Sequence, residues 1–340
     1  MSSSAFFLQS SLDSLPKSSF SFLWADHIEF KCLISQDKMY TIGQFKDPTD
    51  EEVNLASNNE DDLCYDNDSI IDIPPDLDLL KPDEKLERRW VDIKNKLEIR
   101  KKHYKNLWPF TFHDDILKLN YDDCNINHKI YIFLLMSSQL KRFQKTKYSL
   151  LTNPFETLSA YLFKCLMPKG WNVKMTGAKA SSGKIYPKLK RLADELRATM
   201  VIDKDDFDEY NNGDARLDLV AWHPMGDERG FIPIAFAQCG CSPTDWEHKQ
   251  LEAHPISMRN TFSTQSPALS YYFMPHDLLK GLSKWERRDK ILEVILIDRF
   301  RIMQLIKTYE EELKCIVDKK ELARLYIVKK ALNYQQDYFA

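Results

Sequence analysis

The sequence predicts an α/β protein: a mixed sheet flanked by helices, preceded by a separate α+β module and followed by a helical tail. Three observations carry that expectation. Two apolar runs, "RLDLVAW" and "FIPIAFAQC", are joined by "HPMGDERG", a stretch of turn-forming residues. Helical patterns stand on either side of the pair, at "NPFETLSAYLFKCL" and "SPTDWEHKQLEA". Two more apolar runs, "ALSYYFM" and "ILEVILI", follow the second helix. With "GWNVKMTG", a short strand after the first helix, the order is helix, strand, strand, strand, helix, strand.

Taken from the start, residues 1–46 read as a small strand region, in which "SFSFLWA" and "IEFKCLIS" form a hairpin ahead of a polar "QDK" turn. Residues 47–84 read as an acidic linker: they hold fourteen Asp and Glu against one Lys, a charge of −13, with too few apolar residues to offset the entropy of ordering. A sharper expectation is that this segment mimics phosphates over a basic surface, in which case deleting residues 50–80 tightens DNA binding and unchanged affinity makes it a tether. Residues 85–150 form the helical part of the module. There Leu86, Trp90, Ile93 and Leu97 make one apolar stripe, with Arg88, Arg89, Lys94, Lys96, Arg100 and Lys101 on the other face, and a second helix is expected around 128–142.

A further domain is expected over 151–300. Its first helix begins with Asn153 as cap and Pro154 at the first helical position, and Phe155, Leu158, Leu162 and Phe163 share one side. "GWNVKMTG" is a short strand, and "KIYPKLKRLADELRATM" a basic helical insertion. In "SPTDWEHKQLEA" Ser242 and Thr244 compete as caps, and the helix stops at Pro255. Residues 301–340 are expected to be helical.

Composition bounds the class. The net charge of −3 leaves +10 on everything outside the acidic segment, compatible with a polyanionic partner. Seven cysteines without regular spacing fit a reduced, cytoplasmic compartment. The longest apolar runs, such as "IYIFLLM", fall far short of a membrane span. With nine glycines and no phosphate-cradling loop, ATP-driven work would need a partner. Cys239, Cys241, His248 and His254 could be read as zinc ligands, but two cysteines one residue apart on a strand point to opposite faces.

The order of elements, with an acid early in the first helix, Asp218 in the second strand and a polar residue, Gln238, ending the third, resembles the PD-(D/E)xK superfamily of restriction-endonuclease-like nucleases. The resemblance covers roughly residues 150–260. It implies a Mg²⁺- (or Mn²⁺-) dependent endonuclease, a hydrolase cleaving DNA phosphodiester bonds, in which carboxylates hold the ion and a lysine stabilises the attacking hydroxide or the transition state.

Carried over by residue, Asp218 matches the central metal-binding aspartate, and Asp214 belongs to the loop before it. Gln238 stands where a second acid is usual and resembles the Mrr-like branch, whose amide oxygen replaces a carboxylate; two residues on stands Gly240, not Lys. Glu156 resembles a first-helix glutamate that reaches the metal, although the helix dipole favours an acid there in any case. Lys249, on the helix after Gln238, is the candidate replacement lysine, and Lys184 a second; the plainer reading of Lys249 is an exposed lysine paired with Glu247 or Glu252. Nucleases of this kind with an added N-terminal module resemble effector subunits of bacterial anti-phage defence or restriction, so the module is expected to bind a sensor or motor protein. A catalytically inactive nuclease fold, serving as a nucleic-acid-binding or assembly subunit, is the alternative.

Overall fold

The computed structural model describes residues 16, 20–46, 82–176, 185–206, 217–312 and 326–334. The chain divides into two compact units, one of Met1–Tyr148, Leu279–Ser283 and Leu325–Ala340, the other of Ser149–Leu278 and Lys284–Arg324. Among the described residues no helix is long and apolar enough to cross a membrane. Residues 47–81 of the acidic segment lie outside the described residues, and the helix Pro82–Tyr104 takes up its last three positions.

The first unit corrects the expected hairpin. Ser21–Ile34 is one α-helix, buried from Phe22 onward, so that Asp26, His27, Glu29 and Lys31 are as covered as the apolar residues between them. Burial on every side removes the amphipathic signal, and the aromatic and β-branched residues then imitate short strands. A single strand, Met39–Thr41, comes after it. It joins Ile116–Leu119 and Phe110–His113 in an antiparallel sheet, with Ile116–Leu119 in the middle. The last two strands have no counterpart in the sequence reading, because four-residue runs beside a turn carry little periodicity. A further helix runs over Ile126–Ser138.

Buried acids need partners, and here they come from neighbouring helices. Arg100 Nη2 lies 2.6 Å from Asp26 Oδ1 and its Nη1 2.9 Å from Glu29 Oε1, all three side chains being fully buried. Trp108 Nε1 and Tyr131 Oη donate to Glu29, and Ser138 Oγ donates to Asp26. Lys96 is buried too, donating to the carbonyl of Leu279. Lys96 and Arg100 therefore do not belong to the solvated or phosphate-facing surface expected of them. They follow Ile93 at spacings of three and seven, which returns them to the apolar stripe.

His27 gives this unit a pH dependence. Burial, then the charges of Arg142 and Lys31, hold its imidazole well below the usual range, and Arg142 Nη2 approaches Nδ1 at 2.6 Å. The folded state keeps His27 neutral while the unfolded chain takes up a proton below about pH 6.5. Its contribution is thus complete above that pH and shrinks as pH falls toward the depressed folded value. Urea midpoints should drop between pH 7 and 5.5 in the wild type and drop less in His27→Gln; parallel curves would contradict this assignment.

The second unit holds a five-stranded mixed sheet. Its strands are β1 (Asn172–Met175), β2 (Leu219–Trp222), β3 (Ile234–Cys239), β4 (Ala268–Phe273) and β5 (Ile295–Ile297), in spatial order β5-β4-β3-β2-β1. β1, β2 and β3 form an antiparallel meander, whereas β4 is parallel to β3 and β5 to β4. Helices flank both faces. On one lies α1 (Ser149–Leu166), where Phe163 meets Tyr271 and Phe273 edge-on. On the other lies α2 (Ile185–Leu196), whose Leu189, Leu192 and Leu196 share a core with Val220, Trp222, Ile234 and Phe236.

The helix α1 starts at Ser149, not at Asn153, and Pro154 sits inside it. A proline near the N-terminal end removes one helical hydrogen bond, and buried Leu151 on the same side as Phe155 keeps the extra turn in place. The expected stripe of Phe155, Leu158, Leu162 and Phe163 is buried.

Candidate functional site

The site lies where β2 begins and β3 ends. Asp218 does not sit within β2 but immediately before it, with its carbonyl accepting from the N–H of Thr176 at 2.8 Å. The β2–β3 register pairs Leu219 with Ala237, and one further step sets Asp218 opposite Gln238. The β3–β4 register pairs Gln238 with Tyr272. Since side chains alternate along a strand, these three belong to the face of Val220 and Phe236, the α2 side. Asp218, Gln238 and Tyr272 thus form one row across three strands, and they are 8%, 7% and 0% exposed. A polar row this deeply covered within an apolar sheet has to be matched by specific partners.

Some of those partners are present. The N–H of Cys239 donates to Asp218 Oδ2 at 2.8 Å, fixing the carboxylate against the end of β3. Gln238 Nε2 donates to Glu252 Oε2 at 3.2 Å, which leaves Gln238 Oε1 as the free acceptor of that amide. Among the described residues Gln238 Oε1 has no hydrogen-bond partner although it is buried, and the same holds for Tyr272 Oη.

Glu252 is the site residue that sequence reasoning missed. It was weighed only as a partner for Lys249, and the signal that could have found it is the need of a buried glutamine for a carboxylate to receive its N–H. Glu156 comes from α1, the helix on the opposite face of the sheet. Its charge acts on Cys239 and Cys241 at the strand end, as that of Asp218 does, while burial is the larger cause that holds both thiols protonated far above their ordinary range.

Lys249 ends the short helix α3 (Trp246–Lys249), anchored by buried Trp246; its N-cap is Asp245, neither Ser242 nor Thr244 as expected, and Ser242 Oγ accepts from the N–H of Asp245 in the turn before it. Its ammonium lowers the Cys241 thiol against the larger upward effects of burial and Glu156. Among the described residues Lys249 makes no salt bridge; Glu247 pairs instead with Arg287 and Lys290. Lys184 and Asp214 lie outside the described residues.

The structure therefore brings Asp218 and Gln238 together with Glu252, and sets Glu156 and Lys249 at the same strand end. The other histidine and cysteine candidates do not form a cluster. His248 is exposed, and His254 Nδ1 accepts from the N–H of Ile256, capping the next short helix, with Nε2 turned to Glu293 at 3.8 Å. Among the described residues no group of three His, Cys, Asp or Glu side chains could hold a metal ion. No family model, characterised protein or solved structure matches this chain.

Proposed function

We propose that the second unit is a divalent-cation-dependent endonuclease of restriction-endonuclease-like fold, hydrolysing DNA phosphodiester bonds. The meander β1-β2-β3, followed by a helix and a parallel β4, supports that fold. The observation that carries the function is the opposition of Asp218 and Gln238 at the start of β2 and the end of β3, with the Gln238 amide oxygen buried and unpartnered among the described residues. Such an oxygen is costly, about 1–3 kcal/mol, unless a partner arrives.

The donor set fits Mg²⁺ or Mn²⁺, which take hard oxygen ligands. Asp218 and Gln238 would hold the ion, and Glu156, carried by α1 on the other face of the sheet, would contribute only its charge at the strand end. Glu252 orients Gln238 by accepting from its Nε2. When bound, such a cation supplies an activated water and offsets charge on the scissile phosphate. Cys239 N–H holds the Asp218 carboxylate in place, and Lys249 would stabilise negative charge developing on the phosphate. By the same resemblance, the protein is an effector of bacterial anti-phage defence or restriction, and the first unit binds its sensor or motor partner.

A second reading is a nuclease fold kept as a nucleic-acid-binding or assembly platform, favoured by the tie between Gln238 and Glu252 and by glycine at position 240. Plasmid incubated with Mg²⁺ or Mn²⁺ separates the two. Cleavage by the wild type and a loss of at least about 10³-fold in Asp218→Ala is expected of the enzyme. Equal inactivity of both proteins, with retained low-salt DNA binding, would transfer the assignment to the platform.

A further inference from the structure

Gly240 and Tyr272 compete for one volume. The N–H of Gly240 donates to Phe273 O at 3.0 Å, so pairing with β4 continues past the end of β3, and a Cβ added at Gly240 would collide with Tyr272 Oη. No side chain can stand at 240 while the phenol is in place. The hydroxyl thus occupies the space into which any residue two beyond Gln238, on the same side of the strand, would project.

Its surroundings are those of a donor without an acceptor. Tyr272 is fully buried, its ring neighbours Gln238 in register, and its Oη has no hydrogen-bond partner among the described residues. Its hydroxyl has one hydrogen to donate and no acceptor for it among the described residues. Two unmatched polar atoms, Tyr272 Oη and Gln238 Oε1, on side chains paired in register on one face of the sheet, call for a polar species that both can serve.

We propose that Tyr272 is a further catalytic residue of this site, its hydroxyl donating a hydrogen bond to the attacking oxygen beside Asp218 and Gln238. The proposal rests on the nuclease reading above. A neutral donor stabilises a hydroxide-like oxygen without adding a positive charge, and no proton leaves the phenol during the step. Gly240 is then explained as the residue that leaves the hydroxyl room.

The full chain tests this with 3-fluorotyrosine incorporated and the Tyr272 fluorine line assigned by its loss in Tyr272→Phe. Mn²⁺ titrated calorimetrically should bind the wild type and Tyr272→Phe within about threefold and fail to bind Asp218→Ala. Bound Mn²⁺ should broaden the Tyr272 line beyond detection, and the line should stay sharp in Asp218→Ala. Plasmid cleavage should fall about 100-fold in Tyr272→Phe. A sharp Tyr272 line with Mn²⁺ bound, or wild-type cleavage by Tyr272→Phe, would overturn the role of Tyr272 and leave the nuclease reading intact. Mn²⁺ bound equally well by Asp218→Ala, or not bound by the wild type at all, would overturn that reading and this one with it.

Discussion

Replacing Arg100 with methionine should destabilise the first unit by about 3–5 kcal/mol, the usual effect of removing one partner from a buried ion pair. Arg100 stands between two carboxylates from another helix, Asp26 and Glu29, and none of the three is exposed to solvent. Methionine fills much of the volume but leaves two negative charges in a medium that cannot solvate them. Trp108, Tyr131 and Ser138 still donate to those oxygens, so the unit retains part of its polar network.

The remedy open to the variant is protonation. Its folded carboxylates would have raised pKa values, so their favourable contribution is present at low pH and lost as pH rises through those values. Urea unfolding should therefore show a deficit that is largest near neutral pH and narrows toward pH 4. A second variant checks the cause: Asp26→Leu with Glu29→Met and Arg100→Met removes every charge and should regain most of the loss. A deficit below about 1 kcal/mol in Arg100→Met would mean the network contributes little.

Gln238→Glu is expected to act in opposite directions with and without cation. The substitution exchanges a neutral ligand for a charged one and removes the N–H that Glu252 accepts. Without divalent ions, two carboxylates then face each other in a nearly buried site, and stability should fall by about 1–3 kcal/mol. With millimolar Mg²⁺ the added charge strengthens binding, and ligand linkage should recover the loss: stabilisation grows by about 1.4 kcal/mol for each tenfold of ion above the dissociation constant. Melting temperatures measured with EDTA and with Mg²⁺ should straddle the wild-type pair. A variant that melts below the wild type by the same margin in both conditions would place no ion at Gln238.

The legible parts of this sequence were those with strong periodicity or turn chemistry. The run from Asp218 to Cys241 announced two strands and a turn-rich connection, and the observed β2–β3 pair is antiparallel, although β3 begins at Ile234 and the Phe231 expected to open it is exposed. The stripe of α1 was legible for the same reason. The helix Ser21–Ile34 was not, since charged residues that pair internally look like surface residues when only neighbours in sequence are known. Lys96 and Arg100 were misplaced by the same blindness to partners.

Within the site, Asp218 and Gln238 could be singled out by strand position alone. Their opposition depends on register, which the hydrophobic pattern constrains and the turn length completes. Glu252 and Tyr272 were invisible because each acts through one contact across the fold, Glu252 with the Gln238 amide and Tyr272 with the space over Gly240. Glycine at position 240 read as a departure from the family word; the structure gives it a steric reason.

Anomalous diffraction from crystals soaked in Mn²⁺ tests the central claim most directly. The proposal expects a single strong peak within ligand distance, about 2.0–2.3 Å, of an Asp218 carboxylate oxygen and of Gln238 Oε1. A fully soaked crystal with no peak there, and with Gln238 Oε1 hydrogen-bonded to another protein group, would contradict it.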